Sequence, residues 1–368
     1  MVYRRRRLAI NPSLPLRSNE GEVRDDAGVE KQTKFVKSTR KRSEMEYKIA
    51  LRSLGKTGEM VTPIGLGCWQ FSKQNNLAGK FWPTLEDDLI EKVVSLSLEG
   101  GINWFDTAEI YGNGVSEKAL SRALQKAGKK PGEVFIATKW WPMFRFASNI
   151  PRTIAERIRL LEPYPIDLYQ VHQPWGFSNE KAEVSAMADL FDRKLIKCIG
   201  VSNFSAKQMI NSWETLDMRR IPLASNQVRY NLLDRRIESN GVMEAAKKLG
   251  VSIIAYSPLA QGIVTGKFHE NPELLRNIGF RKYSAQFKPA GLEKSLPIVK
   301  LVKALAVRYN ATPAQVALNW LIHFHGDTVV AIPGATKELH VKENTGAMSF
   351  RLSDEDMDRL DRASAVFK

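Results

Sequence analysis

Eight short apolar runs punctuate the chain, at 61–67, 102–106, 134–139, 167–173, 196–201, 223–228, 251–257 and 327–334. Each has the length and the β-branched or aromatic content of a buried strand, with polar or turn-forming residues at its ends. Between the runs, apolar residues recur at helical spacing. That spacing predicts helices over 84–98, from near Ser116, and over 149–161, 179–193, 205–216 and 237–249. Thr84 is the expected N-cap of the first, with acidic residues in its opening turn. Pro151 sits where a helix start tolerates proline, and Gly250 stops the last of the group. Two helices, 294–309 and 312–323, fall between the seventh and eighth runs; two more, 337–346 and 354–363, follow the eighth.

Eight strand–helix units in about 300 residues predict an α/β fold, a parallel (β/α)8 TIM barrel. An open doubly wound sheet is the competing architecture. It would carry a glycine-rich dinucleotide fingerprint, and no GxGxxG occurs in the sequence. Ahead of the first run, YKIALRSLGKTG reads as a β-hairpin with glycine in its turn. The expectation is one barrel domain over 45–368, with an N-terminal β-hairpin and extra C-terminal helices.

Residues 1–44 show no apolar periodicity and read as a disordered basic tail. They also account for much of the charge. The formal net charge is +15, but this segment holds twelve Lys/Arg against six Asp/Glu, which leaves +9 for the remainder. A mildly basic surface is the reading, rather than a nucleic-acid partner. No run approaches the ~18 apolar residues of a spanning helix, and the N-terminus lacks the apolar core of a secretory signal. Cys68 and Cys198 sit in apolar runs, as packed thiols of a reducing compartment and not as a disulfide or metal framework. A cytoplasmic protein follows, with no membrane and no metal; no oligomer is predicted.

Barrels place their chemistry where strands end and loops converge. Asp106 ends the second run, with Tyr111 in the turn beyond it; Lys139 ends the third and His172 the fourth. Ser202–Asn203, Gln227, Tyr256 and the IPG of 332–334 occupy the corresponding places on the last four runs. Burying Asp106 and Lys139 at one rim is costly unless they pair. A paired Lys139 facing Tyr111 is expected to lower the phenol's pKa toward working pH, making it a general acid. A neutral His172 can orient a carbonyl oxygen. None of the four can supply hydride, so a cofactor must.

These residues stand in motifs that resemble one family, the aldo-keto reductases. LGKTG, GINWFDTAEIYG, IATKW, LYQVH, IGVSNF, NQVRYN, AYSPLAQG and IPGATKELHVKEN follow in order over residues 47–368. The opening LGKTG and closing IPG are similar to the branch with bacterial general reductases, plant pyridoxal reductases and potassium-channel beta subunits. The resemblance implies reduction of an aldehyde or ketone by hydride from NADPH, with NADH a weaker alternative. Tyr111 would be the acid, Asp106 and Lys139 its partners, and His172 the orienting group. Ser202, Asn203 and Gln227 would hold the nicotinamide amide, and Tyr256 would stack on its ring beside Trp69. Ser257, Pro258, Leu259, Gln261 and Gly262 would line the pyrophosphate. Ile332, Gly334, Ala335, Thr336 and His340 would border the adenosine end, with Lys337 on the 2′-phosphate and Glu343–Asn344 on adenine. Several relatives place Arg at one of these positions, while this chain has Thr336, Lys337 and His340.

Trp69, Trp140, Trp141, Phe144 and Trp175 are candidates to wall an apolar mouth for the substrate. The segment 259–293 has the length and the Lys/Arg content of a loop closing over a cofactor phosphate. The competing functional reading is a cofactor-bound regulatory subunit like the channel beta proteins, in which slow chemistry serves sensing.

Overall fold

The computed structural model describes residues 49–73 and 84–368. The expected tail over 1–44 lies outside the described residues. Among those described, the eight apolar runs become one parallel sheet. Its strands are β3 (Leu66–Gly67), β4 (Trp104–Asp106), β5 (Phe135–Trp140), β6 (Ile166–Val171), β7 (Ile196–Ser202), β8 (Leu223–Arg229), β9 (Ser252–Tyr256) and β10 (Val329–Ala331). They neighbour one another in chain order. The first and last edges then meet: Ile64 bridges Ala331 and Gly67 bridges Gly334, both parallel. Backbone bonds from Gly65 N to Ala331 O (2.9 Å) and from Ala331 N to Pro63 O (2.9 Å) complete the closure. A closed barrel leaves no sheet edge open.

The hairpin forms from β1 (Arg52–Ser53) and β2 (Met60–Val61), antiparallel. It covers one end of the barrel. Leu54 and Val61 pack into the interior with Trp104, Phe135, Leu168, Cys198, Ile254 and Val330. Gly55 holds φ of 60°, and a Cβ there would lie 2.5 Å from the Ala224 carbonyl oxygen. Only glycine allows both that conformation and that approach.

Helices follow the strands: α1 (Asp87–Glu99), α2 (Val115–Lys126), α3 (Ile150–Leu161), α4 (Glu180–Asp192), α5 (Ala206–Asp217) and α6 (Val242–Leu249). Beyond β9 come α7 (Lys267–Glu270), α8 (Pro289–Tyr309) and α9 (Pro313–His323); α10 (Glu338–Gly346) and α11 (Asp354–Ser364) end the chain. Capping explains several starts. Asn179 accepts from Ala182 N at 3.0 Å, and Ser205–Gln208 and Thr312–Gln315 form capping boxes. Three boundaries differ from the sequence expectation, and the first is α8, which begins at Pro289 and not at 294 because proline opens it. Helix α1 begins at Asp87, not at Thr84, and Glu86 precedes it without a side-chain cap. Helix α6 begins at Val242 because left-handed Gly241 separates it from a short turn at Arg236–Glu238. Segment 259–293 is also more ordered than a plain loop: Ile263, Phe268, Ile278 and Phe287 give it a small apolar core of its own. Among the described residues no helix is long and apolar enough to cross a membrane.

One buried carboxyl sits beneath the loop that follows β6. Glu183, in the first turn of α4, is buried, and its Oε1 has no hydrogen-bond partner among the described residues. That oxygen lies 2.1 Å from where a Cβ on Gly176 would be. Burial, with Glu180 adding repulsion, raises the Glu183 carboxyl to about 8. The unfolded chain releases this proton near 4.5 while the folded chain keeps it, so stability falls as pH rises from one value to the other. Glu183→Gln removes that slope. Its melting temperature should exceed that of wild type by a few degrees at pH 8 and by less at pH 5. Equal shifts at both pH values would contradict the assignment.

Candidate active site

Strand alternation decides which side chains meet inside the barrel. On β5, Phe135 and Ala137 point inward with the interior cluster, so Lys139 does too, and Thr138 and Trp140 face the helices. Lys139 is fully buried, and its ammonium pairs with the Asp106 carboxylate at the end of β4. It also donates to the Thr107 carbonyl at 2.8 Å. The other Asp106 oxygen accepts from Gln227 Nε2 at 2.8 Å and from Gln170 Nε2 at 3.3 Å. Taking two charges out of water costs several kcal/mol per ion, and these extra hydrogen bonds offset part of it. Gln170 was not singled out by sequence reading. Its signal was present: it shares a strand face with Leu168 and His172.

Tyr111 enters from the turn after β4. Its backbone N–H donates to Ala108 O at 3.0 Å, and Gly114 N donates to Glu109 O at 3.0 Å. Thr107 Oγ1 donates to Ser116 Oγ at 2.8 Å, and Ser116 donates on to the Cys68 carbonyl at 2.7 Å. The turn is thereby fastened to the start of α2. The half-buried Tyr111 ring has the Lys139 ammonium 5.0 Å from its centre, with Trp69 stacked at 5.9 Å and His172 edge-on at 5.7 Å.

The direction of the Tyr111 pKa corrects the sequence expectation. Burial pushes the phenol well above its ordinary 10.0, and the Asp106 charge pushes it further. The reason lies in the pair beneath it. Asp106 neutralises the ammonium locally, so desolvation of a phenolate dominates. Burial likewise lowers Lys139, although Asp106 opposes that shift. His172 is buried, and its pKa falls well below 6.5 through desolvation and the Lys139 charge. Its imidazole is therefore neutral at physiological pH. Its Nδ1 has no partner among the described residues.

Tyr111, His172 and Asp106 open into a cavity of about 660 Å³. Trp69 and Trp141 flank it at this end, as do Ser202, Asn203, Gln227 and Tyr256. Tyr256 donates to Asn203 Oδ1 at 2.9 Å, and Asn203 Nδ2 donates to Ser202 Oγ at 3.0 Å. The middle wall is Ser257, Pro258, Leu259, Gln261 and Gly262. Ser257, Ala260, Gln261 and Gly262 all have positive φ, and the tight winding is held by Ala260 N donating to Ser257 O at 2.9 Å and Gly262 N to Leu259 O at 2.8 Å. The far end is Ile332, Gly334, Thr336, Lys337, His340, Glu343 and Asn344. Gly334 is closely approached: a Cβ there would fall 2.3 Å from the Gln70 amide, which would have to move to admit it.

Four expected residues stand elsewhere: Phe144 is 77% exposed and is not on the cavity wall. Trp140 is fully buried and packs outward among the helices, because its neighbour Lys139 takes the inward position. Ala335 is buried in the same helical layer and is not on the cavity wall. Trp175 is 52% exposed, meets Trp141 edge-on at 6.0 Å and is not on the cavity wall. Conversely, Gln70, Lys267 and Arg281 line the cavity without having been named from sequence. The Lys/Arg content of 259–293 was the signal for the last two. Lys267 is lowered by burial and by the charges of Arg281 and Lys337; His340 is lowered by burial, Lys267 and Lys337. This end of the cavity is electrostatically suited to an anion.

Lys139→Met would leave Asp106 buried without its cation and should destabilise the fold by about 3–5 kcal/mol, read from urea unfolding. Adding Asp106→Asn to that variant should recover part of the loss. Strict additivity of the two substitutions would show that the pair is not coupled.

Comparison with known proteins accords with this geometry. The sequence model of the Aldo/keto reductase family matches residues 63–365. An uncharacterized oxidoreductase of Mycobacterium tuberculosis is 36% identical over 311 residues, covering 84% of this chain and 91% of that protein. The chloroplastic pyridoxal reductase of Arabidopsis thaliana is 30% identical over 320 residues, with 83% of each chain covered. Among solved structures, an aldo/keto reductase from Klebsiella pneumoniae in complex with NADP and acetate superimposes with a TM-score of 0.65. It is 26% identical, and the match covers 84% of this chain and 94% of that one. The chain belongs to the aldo/keto reductase family.

Proposed function

We propose that the protein reduces an aldehyde or ketone to the alcohol with NADPH, Tyr111 being the proton donor. One observation carries the reading: a single cavity joins a protonated phenol beside a neutral imidazole to a cluster of cations at its other end. NADPH, when bound, supplies the hydride.

The wall fits that cofactor. Gln70 Oε1, Gln261 Oε1 and Asn344 Nδ2 are buried on it without partners among the described residues, and a polar ligand would satisfy them. Ser202, Asn203 and Gln227 present amide and hydroxyl groups near the catalytic end, suited to a carboxamide. Tyr256, on the same wall, would stack on the nicotinamide ring. Lys337, with Lys267 and Arg281 close by, suits a phosphate better than a ribose hydroxyl. The same anion would relieve the repulsion that lowers Lys267 and His340. Glu343 and Asn344 complete the adenosine end.

The residues divide the work on the carbonyl. His172, being neutral, can donate a hydrogen bond to the carbonyl oxygen without surrendering its proton. Tyr111 delivers its proton to that oxygen as negative charge builds there. A raised phenol pKa does not prevent this, because an alkoxide-like oxygen is more basic than a buried phenolate. It does disfavour the reverse reaction, which needs Tyr111 ionised first.

Tyr111→Phe should lower turnover by about 10²–10⁴-fold, followed at 340 nm with 4-nitrobenzaldehyde or pyridoxal, while NADPH affinity by fluorescence titration changes little. Turnover at the wild-type rate would refute the acid role. Lys337→Met should weaken NADPH binding by about tenfold or more, as loss of a charge-assisted hydrogen bond does, and should leave NADH nearly unaffected. Equal losses for both cofactors would refute the phosphate assignment.

A further inference from the structure

A second cavity, of about 430 Å³, begins where one wall of the first ends. Gln261 and Gly262 line the first; Ile263, the next residue, lines the second. Leu233, from the loop after β8, and Phe367, beside the last residue of the chain, complete an apolar lining with it. The end of the chain is fastened there: the Phe367 carbonyl accepts from Arg235 N at 2.8 Å, and Arg235 is fully buried. The size is that of a small-molecule site.

The polar groups of this cavity share one character. Gln286, Lys288 and Lys294 border it, and no acidic residue does. Neither ammonium pairs with a carboxylate among the described residues; Lys294 rests over the Phe367 ring, 4.5 Å from its centre. Gln286 accepts a hydrogen bond on Oε1 from Arg229 Nη2, which fixes the amide and leaves Nε2 as its free end. That nitrogen is buried and has no partner among the described residues. A buried donor calls for an acceptor. The acceptor that suits an amide N–H and two ammonium groups together is an anionic oxygen, and the body that suits Leu233, Ile263 and Phe367 is hydrocarbon.

We propose that this second cavity binds an apolar monocarboxylate, its carboxylate held by the Gln286 amide and the two ammonium groups and its hydrocarbon body against Leu233, Ile263 and Phe367. Occupation is coupled to the cofactor, a consequence that rests on the NADPH reading above. Ile263 and Gln286 belong to segment 259–293, whereas Leu233, Lys294 and Phe367 do not. Lys267 and Arg281 of the same segment line the first cavity. A ligand touching both sides favours the arrangement in which they lie together, and that arrangement keeps Lys267 and Arg281 beside the cofactor phosphates. Each ligand therefore tightens the other by the same factor.

Octanoate is the probe, titrated calorimetrically into wild type and into the variants Lys288→Glu/Lys294→Glu and Ala290→Trp. These substitutions border the second cavity at exposed positions, so melting temperature and turnover of 4-nitrobenzaldehyde should stay near wild type. Wild type should bind octanoate with a Kd of about 1 mM or below, as about ten non-hydrogen atoms allow. The affinity should fall at least about tenfold in both variants, through lost charge in one and a filled cavity in the other. Wild type should also bind 1-octanol, which keeps the chain without the charge, at least about tenfold more weakly. Octanoate binding within twofold of wild type in either variant, or equal affinity for octanol, overturns the site.

The coupling has its own readout. At saturating octanoate the Kd of NADPH, by fluorescence titration, should fall about fivefold or more in wild type and stay unchanged in the variants. An unchanged value in wild type that binds octanoate overturns the coupling. If NADPH does not bind at all, the cofactor reading fails, and the octanoate titrations of the free protein still decide the site.

Discussion

A carboxylate and an ammonium buried together at one end of the barrel govern the rest of this structure. Neither Asp106 nor Lys139 stands there cheaply alone, because an unpaired buried charge costs about 3–5 kcal/mol, a large share of a domain's stability. Together they determine what must surround them. Gln170 and Gln227 supply the remaining hydrogen bonds to the carboxylate, and the Thr107 carbonyl accepts a hydrogen bond from the ammonium. That carbonyl begins the turn on which Tyr111 stands. The position of the phenol is thus a consequence of where the pair is satisfied. The polar layer rests on an apolar interior that the hairpin closes from the opposite end, so water reaches the pair only from the cavity side.

The same pair explains the electrostatics of the site. With its charge locally cancelled, the ammonium cannot draw the Tyr111 pKa down, and burial sends it up. Its field still reaches His172, where it reinforces desolvation and keeps the imidazole neutral. One end of the cavity therefore presents two uncharged hydrogen-bond donors. The other presents clustered cations whose mutual repulsion only an anion relieves. A dinucleotide bearing phosphates at one end and a neutral reacting ring at the other matches this division of charge.

Much of this was legible in the residues because strand and helix periodicities are local. All eight apolar runs became strands, and Asp106, Tyr111, Lys139 and His172 came together as their places at strand ends required. The misses came from relations that periodicity does not encode. Trp140 was assigned to the mouth although strict alternation beside an inward Lys139 already sends it outward. Helix α6 was begun too early because a left-handed glycine, not loss of apolar spacing, separates it from the preceding turn. The direction of the Tyr111 shift depended on which charges lie within a few ångströms in three dimensions, and sequence gave the partners without their balance. Lys267 and Arg281 reach the cavity from a segment whose small apolar core is invisible in any short window.

The central claim is that Tyr111 holds its proton through the working range and gives it only to the substrate oxygen. The pH dependence of kcat/KM for 4-nitrobenzaldehyde at saturating NADPH, from about pH 6 to about pH 10.5, tests this most directly. The account predicts a plateau that persists past the ordinary phenol value of 10.0. A decline with an apparent pKa below about 8, lost when Tyr111 is replaced by phenylalanine, would contradict it.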